Sequence, residues 1–306
     1  MRNAFVNTLI SASMSRDDIF IVTGDNGAGV FDAFMKNNPN QFINLGIAEQ
    51  NLTSVSAGLA MSGYKVCTYN IIPFLLYRCY EQVRNDICYQ ELPVIMVGIG
   101  SGVTYAPQGL THYSVEDIGI AQTLPNLIVI SPCDPIEAKC AAKYAINADK
   151  PVYVRIPKRG EPVFHKTENL DITIPQVLRQ GEDIALIFHG NISEEVMNAY
   201  DKLVERHIYP MIISVPIIQP LNVDSLFDIL KNIKTVIAVE EHYENCGFGG
   251  ILRQAYHQHK PSWKLKVMGI PFKFIHEIKN TSGMRSYFGI LAGDIVNAVN
   301  EEREKI

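Results

Sequence analysis

Glu49 is the only formally charged residue between Lys36 and Lys65. It stands in Gly46-Ile47-Ala48-Glu49-Gln50-Asn51-Leu52, which reads as a tight glycine turn followed by the first turn of a helix. After it, Ala48, Leu52, Val55 and Leu59 have the spacing of one apolar stripe, which predicts a buried face. Ser54, Ser56, Ala57, Gly58, Ala60, Ser62 and Gly63 are small and allow a backbone or a flat ligand to come close. The helix macrodipole alone favours an acid here, by about 0.3–1 kcal/mol. A solvated dipole partner, however, does not need uncharged, small surroundings. A carboxylate buried without a partner is costly, so Glu49 should meet a donor or bind a ligand that supplies one.

Three other groups could do chemistry. Ile71-x-x-Phe74-x-x-Tyr77 places side chains on one side of a helix that begins near Pro73. That spacing suits either core packing or a stacking wall for a flat heteroaromatic ring. The glycine-rich segment from Gly98 to Gly109 leads into Thr111-His112, and it does not match a phosphate-cradling P-loop. His112 has a structural reading as well as a chemical one, with Ser114 a possible cap for the helix that follows. Arg155, Lys158 and Arg159 form a small basic group, either a solvated face or an anion contact.

The elements that must position these residues alternate. Ile19–Val22, Phe42–Leu45, Val66–Tyr69, Pro93–Gly98, Asn126–Ser131 and Pro151–Ile156 read as strands. Helical patterns lie between them, including Phe74–Tyr89 and a helix to about Ala148 with Asp134 as N-cap and Pro135 at its first position. Such alternation predicts an α/β domain with a largely parallel sheet over residues 1–160. Residues 161–180 hold Pro162 and Pro175, lie between Gly160 and Gly181, and read as a linker with room for a short strand. The strand–helix rhythm then resumes through 181–306, giving a second, smaller α/β domain that ends in one helix from about Met284 to Glu301. Ligands collect at the carboxyl ends of strands in open parallel sheets. In the first domain those ends hold Asp25, the Gly46–Glu49 turn, 70–74 and the 98–112 loop.

Bulk properties narrow the function. A net charge of −5, with both signs interspersed, argues against nucleic acid or an anionic membrane as partner. No apolar run approaches the ~18 residues of a spanning helix. The first residues lack a signal-peptide pattern, so cytoplasm is the expected location. None of the six cysteines forms a Cys-x-x-Cys pair, so buried reduced thiols are expected, and no spacing signals a metal site.

In combination, several stretches resemble a known family. Gly46-Ile47-Ala48-Glu49-Gln50, Ser56-Ala57-Gly58-Leu59-Ala60, the Phe74/Tyr77 helix, Thr111-His112 and Asn126–Pro132 occur in this order. They resemble the pyrimidine-binding domain of transketolases and of relatives such as deoxyxylulose-phosphate synthase. Val239-Glu240-Glu241-His242 ahead of Gly247-Phe248-Gly249-Gly250 resembles the transketolase C-terminal domain. The resemblance implies thiamine diphosphate as cofactor, with Glu49 on its aminopyrimidine ring, Phe74 stacked on that ring, Tyr77 nearby and Asp25 at its edge. It implies catalytic roles for Glu49 and His112, with His112 facing the substrate, and an Arg155 contact to a substrate phosphate. A carboxyl group is needed because the cofactor's exocyclic amine becomes a base only when the far ring nitrogen exchanges a proton.

The resemblance also exposes gaps. The family holds the diphosphate and Mg²⁺ through Gly-Asp-Gly, which is absent here; Gly24-Asp25-Asn26 does not match it. A diphosphate needs a metal or several donors. The implied partner is a separate N-terminal transketolase-like subunit carrying that motif, with two copies of each chain. Gln108 stands where an acid is expected four positions before His112, no base stands at Gly100 or Ser101, and Ile71 replaces an outer aromatic. A phosphate-binding serine is expected near Gly29. Cofactor activation looks intact, while sugar-hydroxyl and phosphate recognition looks altered, so the expected substrate is an unusual or unphosphorylated ketose, or another carbohydrate intermediate, rather than an ordinary pentose phosphate. The expected reaction is ketol transfer from a ketose to an aldehyde. A 2-oxoacid or deoxyxylulose-phosphate-type reaction and a non-catalytic subunit are the alternatives.

Overall fold

The computed structural model describes residues 1–27, 29–158 and 160–305. Two mostly parallel sheets, each flanked by helices, confirm the α/β expectation. The first half supplies β1 (Ile19–Thr23), β2 (Phe42–Asn44), β3 (Lys65–Ile71), β4 (Ile95–Ile99), β5 (Ile128–Ile130) and β6 (Val152–Ile156). The second supplies β7 (Gln176–Arg179), β8 (Ile184–Phe188), β9 (Met211–Ser214), β10 (Ile217–Gln219), β11 (Thr235–Tyr243) and β12 (Lys264–Ile270). The large sheet has the order β10-β5-β6-β4-β3-β1-β2, and the small one β12-β11-β8-β9-β7. Strand β7 falls in the stretch read as a linker and pairs antiparallel with β9.

The central strands of the large sheet are almost wholly buried, and β4 reads as an unbroken apolar run, while β3 and β6 carry buried polar residues within theirs. Cys67, Val97 and Val154 face one layer, where the helices Arg2–Ser13 and Pro135–Asn147 pack through Phe5, Leu9, Ala138 and Ala141. Val66, Met96 and Tyr153 face the other, packed by Leu52, Leu75, Val83 and Ile87. Asp134 caps Pro135–Asn147 as expected, accepting from the N–H groups of Ile136 and Glu137.

Four details differ from the sequence expectation. Helix Arg2–Ser13 carries no capping side chain to announce it. The final helix is two, Thr281–Phe288 and Ala292–Arg303, because Gly289 adopts φ +68° and closes the first of them. Ser114 caps no helix; its hydroxyl donates to the Gly100 carbonyl. In helix Glu49–Met61 the buried face is Glu49, Leu52, Thr53, Ser56, Ala57 and Ala60, while Val55 and Leu59 are only half-buried. Small residues and Leu52, not the rest of the apolar stripe, face the sheet there, because strand and helix approach closely. Ser56 and Thr53 offset their burial by donating to the carbonyls four residues back.

Candidate active site

Glu49 opens its helix after Gly46, whose φ of +68° makes the turn out of β2. Asn44 fastens this turn to its neighbour. Its Oδ1 accepts from the backbone N–H of Gly46 at 3.0 Å and of Asp25 at 2.9 Å. Asp25 is exposed at the end of β1 and is joined to the Glu49 turn through Asn44. The Glu49 side chain is only 6% exposed, yet it is not left bare: Oε2 lies 3.0 Å from Nη1 of Arg78. Of the two expectations, a donor within the chain or a ligand that brings one, the structure supplies the first.

Phe74 and Tyr77 lie on a π-helical turn, Pro73–Tyr77, that starts directly after β3. Such wide turns recur at functional sites. The turn closes when the Arg78 N–H donates to the Pro73 carbonyl at 3.0 Å. At π spacing Arg78 stacks above Phe74, with its guanidinium carbon 4.4 Å from the ring centroid. The Phe74 ring also meets the His112 ring edge-on at 5.4 Å. Glu49, Arg78, Phe74 and His112 therefore form one continuous mouth. The Tyr77 hydroxyl donates to Oε2 of Glu116 at 3.1 Å. Burial pushes the Tyr77 hydroxyl up, and burial likewise raises Glu116 against the bonds it accepts from Val115 and Tyr77.

His112 is held from behind. Its Nδ1 pairs with the Thr111 hydroxyl at 2.8 Å, and Tyr105 approaches its ring at 6.4 Å. The loop bearing it is pinned to the second domain by Glu241. Oε2 of Glu241 accepts from the Val103 N–H at 3.2 Å and from Asn191 Nδ2 at 2.5 Å, while Oε1 accepts from Arg285 Nε at 2.5 Å. The Ser101 hydroxyl donates to Asn191 Oδ1, completing the clamp. Gln108 is exposed on the same loop.

Arg155 is not brought to this mouth. It is wholly buried, with Nε and Nη2 bonded to the two carboxylate oxygens of Asp117 at 2.8 and 3.1 Å. The Tyr153 hydroxyl donates to the same carboxylate. His242 from the second domain packs beside them; burial draws it down to about 4, so its neutral Nε2 accepts the Ile118 N–H. The expected phosphate contact is thus an internal ion pair at the domain junction. Of the other basic residues, Lys158 stands over the Tyr105 ring at 5.1 Å, and Arg159 lies outside the described residues.

Sequence reasoning missed Arg78, Asn44 and the clamp made by Glu241. Arg78 had a signal, being the only cation between Lys65 and Arg84 and four residues beyond Phe74. It also missed a buried cluster in which Cys133, Glu137 and His165 lie within 4.8 Å of one another, drawn from segments too far apart for a spacing rule. The cysteines carry no disulfide; five are buried and Cys246 is half-buried.

A flat, nitrogen-bearing donor already rests on the Phe74 face and the Glu49 carboxylate, so these two groups fit an aminopyrimidine. A diphosphate–metal pair finds no such fit at this mouth, where Glu49 is, among the described residues, the one buried carboxylate and is bound to Arg78.

Comparison with known proteins identifies the family. Residues 1–161 match the transketolase pyrimidine-binding domain, and residues 175–290 match the transketolase C-terminal domain. The chain is 35% identical over 300 residues to one of the subunits of apulose-4-phosphate transketolase from Actinobacillus succinogenes, covering 97% of this chain and 96% of that protein. It is 30% identical over 277 residues to 1-deoxy-D-xylulose-5-phosphate synthase of Caldanaerobacter subterraneus subsp. tengcongensis, covering 89% of this chain but only 44% of that one. A solved split-gene transketolase, described as an inactive β4 tetramer, shares the fold with a TM-score of 0.86 at 24% identity, over 98% of this chain and 96% of that one. With family matches spanning most of its length and a relative that it matches almost end to end, this chain belongs to the transketolase family and comprises its pyrimidine-binding and C-terminal domains.

Proposed function

We propose that this chain is the C-terminal subunit of a two-chain, thiamine diphosphate-dependent enzyme that moves a two-carbon ketol unit from a ketose to an aldehyde. The observation that carries this reading is the single mouth formed by Glu49, the Phe74 face and His112. Thiamine diphosphate supplies, when bound, a nucleophilic ring carbon able to break a carbon–carbon bond next to a carbonyl. Glu49 holds and returns a proton at its carboxylate oxygen, in a setting that excludes most water. Phe74 orients the ring by stacking, and Tyr77 backs it from its fixed bond to Glu116. Asp25, tied to the Glu49 turn through Asn44, borders the ring's edge. His112 offers the substrate the ring nitrogen that Thr111 does not engage. Gln108, exposed on the same loop, is the second residue offered to the substrate. Mg²⁺ and the diphosphate are held by an N-terminal subunit carrying Gly-Asp-Gly, in an assembly of two of each chain.

A sugar phosphate is the favoured substrate class, supported by the transketolase relative named for apulose-4-phosphate. With Arg155 buried against Asp117, Lys158 is the described member of the basic group left to meet its phosphate. Ketol transfer is preferred over the synthase reaction because the relative matched end to end is a transketolase chain, whereas the synthase is matched over less than half its length.

The test is to co-produce the chain with its diphosphate-binding partner and add thiamine diphosphate, Mg²⁺, a ketose phosphate and an aldehyde. The expected results are a two-carbon-extended product and exchange of the cofactor's ring proton into solvent. Glu49→Gln should stop that exchange while leaving the circular dichroism spectrum unchanged; exchange at the wild-type rate in this variant removes Glu49 from the mechanism.

A further inference from the structure

The guanidinium of Arg78 makes two contacts at once. Nη1 lies 3.0 Å from Oε2 of Glu49, and the guanidinium carbon lies 4.4 Å from the centroid of the Phe74 ring. A planar cation stacked on an aromatic face while donating to a carboxylate has the shape and hydrogen-bonding sense of an aminopyrimidine. Phe74 and Glu49 are also the two groups that the proposed function assigns to that ring. A pyrimidine ring taking the same face of Phe74 and the same Oε2 would have to displace Arg78.

We infer that Arg78 is an internal stand-in for the cofactor's pyrimidine ring, holding its place until the cofactor displaces it. This inference rests on the proposed use of Glu49 and Phe74.

The two partners of the ion pair differ in freedom. The Arg78 side chain is 45% exposed and the Glu49 side chain 6%. Glu49 is fixed in the first turn of its helix, whereas the arginine head can swing into water on a long stem. The backbone of Arg78 need not move: its N–H is bonded to Pro73, and its carbonyl accepts from Gln50 Nε2 at 3.3 Å, one residue beyond Glu49. Displacement is therefore a rotation of side-chain torsions about an anchored backbone. Without the cofactor, Arg78 neutralises a carboxylate that would be costly to bury alone. When the cofactor enters, the same residue competes with it, and the apparent affinity falls by the fraction of chains with the arginine seated.

The test measures thiamine diphosphate binding by titration calorimetry with the two-chain complex, in saturating Mg²⁺ and without substrate. Arg78→Met keeps the length of the side chain and removes its charge and planar head. The expected result is a dissociation constant about 3- to 10-fold lower than wild type, since no seated arginine has to leave. In the same preparations without cofactor, the variant should melt below wild type, and saturating cofactor should close that gap. An unchanged or weaker affinity in Arg78→Met, with the wild-type complex binding normally, overturns the stand-in. Failure of the wild-type complex to bind thiamine diphosphate overturns the proposed function instead. If Arg78→Met is insoluble, Arg78→Lys is read by the same criterion, because its ammonium lacks the flat face that covers Phe74.

Discussion

A methyl group on Gly102 would lie 2.0 Å from Oε2 of Glu241. The two residues belong to different domains, and the absence of a side chain on one lets the other reach the loop that carries His112. Glu241 cannot retreat, because Val103, Asn191 and Arg285 hold both of its oxygens. Gly102 itself has φ +60°, which disfavours any larger residue. Gly102→Ala should therefore cost about 2–4 kcal/mol in urea unfolding. Turnover of the two-chain complex should fall with it, as the His112 loop loses its clamp. A variant with wild-type stability and turnover would show that the clamp does not position the loop.

Arg155 and Lys158 separate structure from recognition. Arg155→Met leaves Asp117 buried without its cation and should destabilise the chain by about 3–5 kcal/mol. Lys158→Met removes a half-buried, solvent-reaching charge and should change stability by only about 0.5 kcal/mol. Its effect should appear in kinetics, as a raised KM for phosphorylated substrates with kcat largely preserved. If Lys158→Met leaves KM unchanged, the phosphate is bound elsewhere.

Glu137 gives a pH dependence of defined sign. Burial raises its carboxyl from 4.5 to about 7. The folded chain thus holds a proton that the unfolded chain releases from about pH 4.5 upward. Where the native state binds more protons, stability falls as pH rises. Between pH 4.5 and 7 the protein should lose stability progressively, and His165, raised by its bond to Asp134 despite burial, acts in the same direction. Glu137→Gln keeps an acceptor for the Cys133 N–H and carries no charge. It should flatten this slope and stabilise the chain at pH 8 by on the order of 1–3 kcal/mol. Urea midpoints at pH 5 and pH 8 for both proteins decide it.

Gln108 probes selectivity without touching the core. It is exposed on the loop ahead of His112, at the position where the resembled family carries an acid. Gln108→Asp should shift kcat/KM towards hydroxyl-rich sugar phosphates by about tenfold, since a carboxylate accepts from hydroxyl groups more strongly than an amide. Selectivity identical to wild type, measured with paired substrates in one vessel, would exclude this residue from recognition.

The sequence disclosed the parts of the fold that repeat a simple pattern. Strand β4 is buried on both faces and announces itself as an apolar run, β3 and β6 are β-rich with a few buried polar residues, and Asp134-Pro135 marks a helix start by capping chemistry alone. Glu49 stood out because its neighbours carry no charge. What stayed hidden depends on contacts between distant segments. Arg155 reads as a free cation from its neighbours in sequence, and only the approach of Asp117, 38 positions away, turns it inward. The buried face of helix Glu49–Met61 is set by how close β3 comes, so small residues displaced all of the apolar stripe but Leu52 from it. The role of Arg78 required the wide turn Pro73–Tyr77, which no 3.6-residue periodicity announces.

Strand β10 gives the two domains a shared edge. It leaves the second half of the chain, pairs antiparallel with β5 of the large sheet, and is secured where Gln219 Nε2 donates to the carbonyls of Leu124 and Leu127 at 3.0 and 2.9 Å. Removing everything beyond the linker would strip this cover and leave β5 as a bare, adhesive strand. A chimera that exchanges second domains between relatives would have to graft residues 217–219 to suit the recipient's first sheet. In this molecule the seam visible in the family assignments is therefore bridged by a strand, and cutting the chain there would cut through a shared sheet.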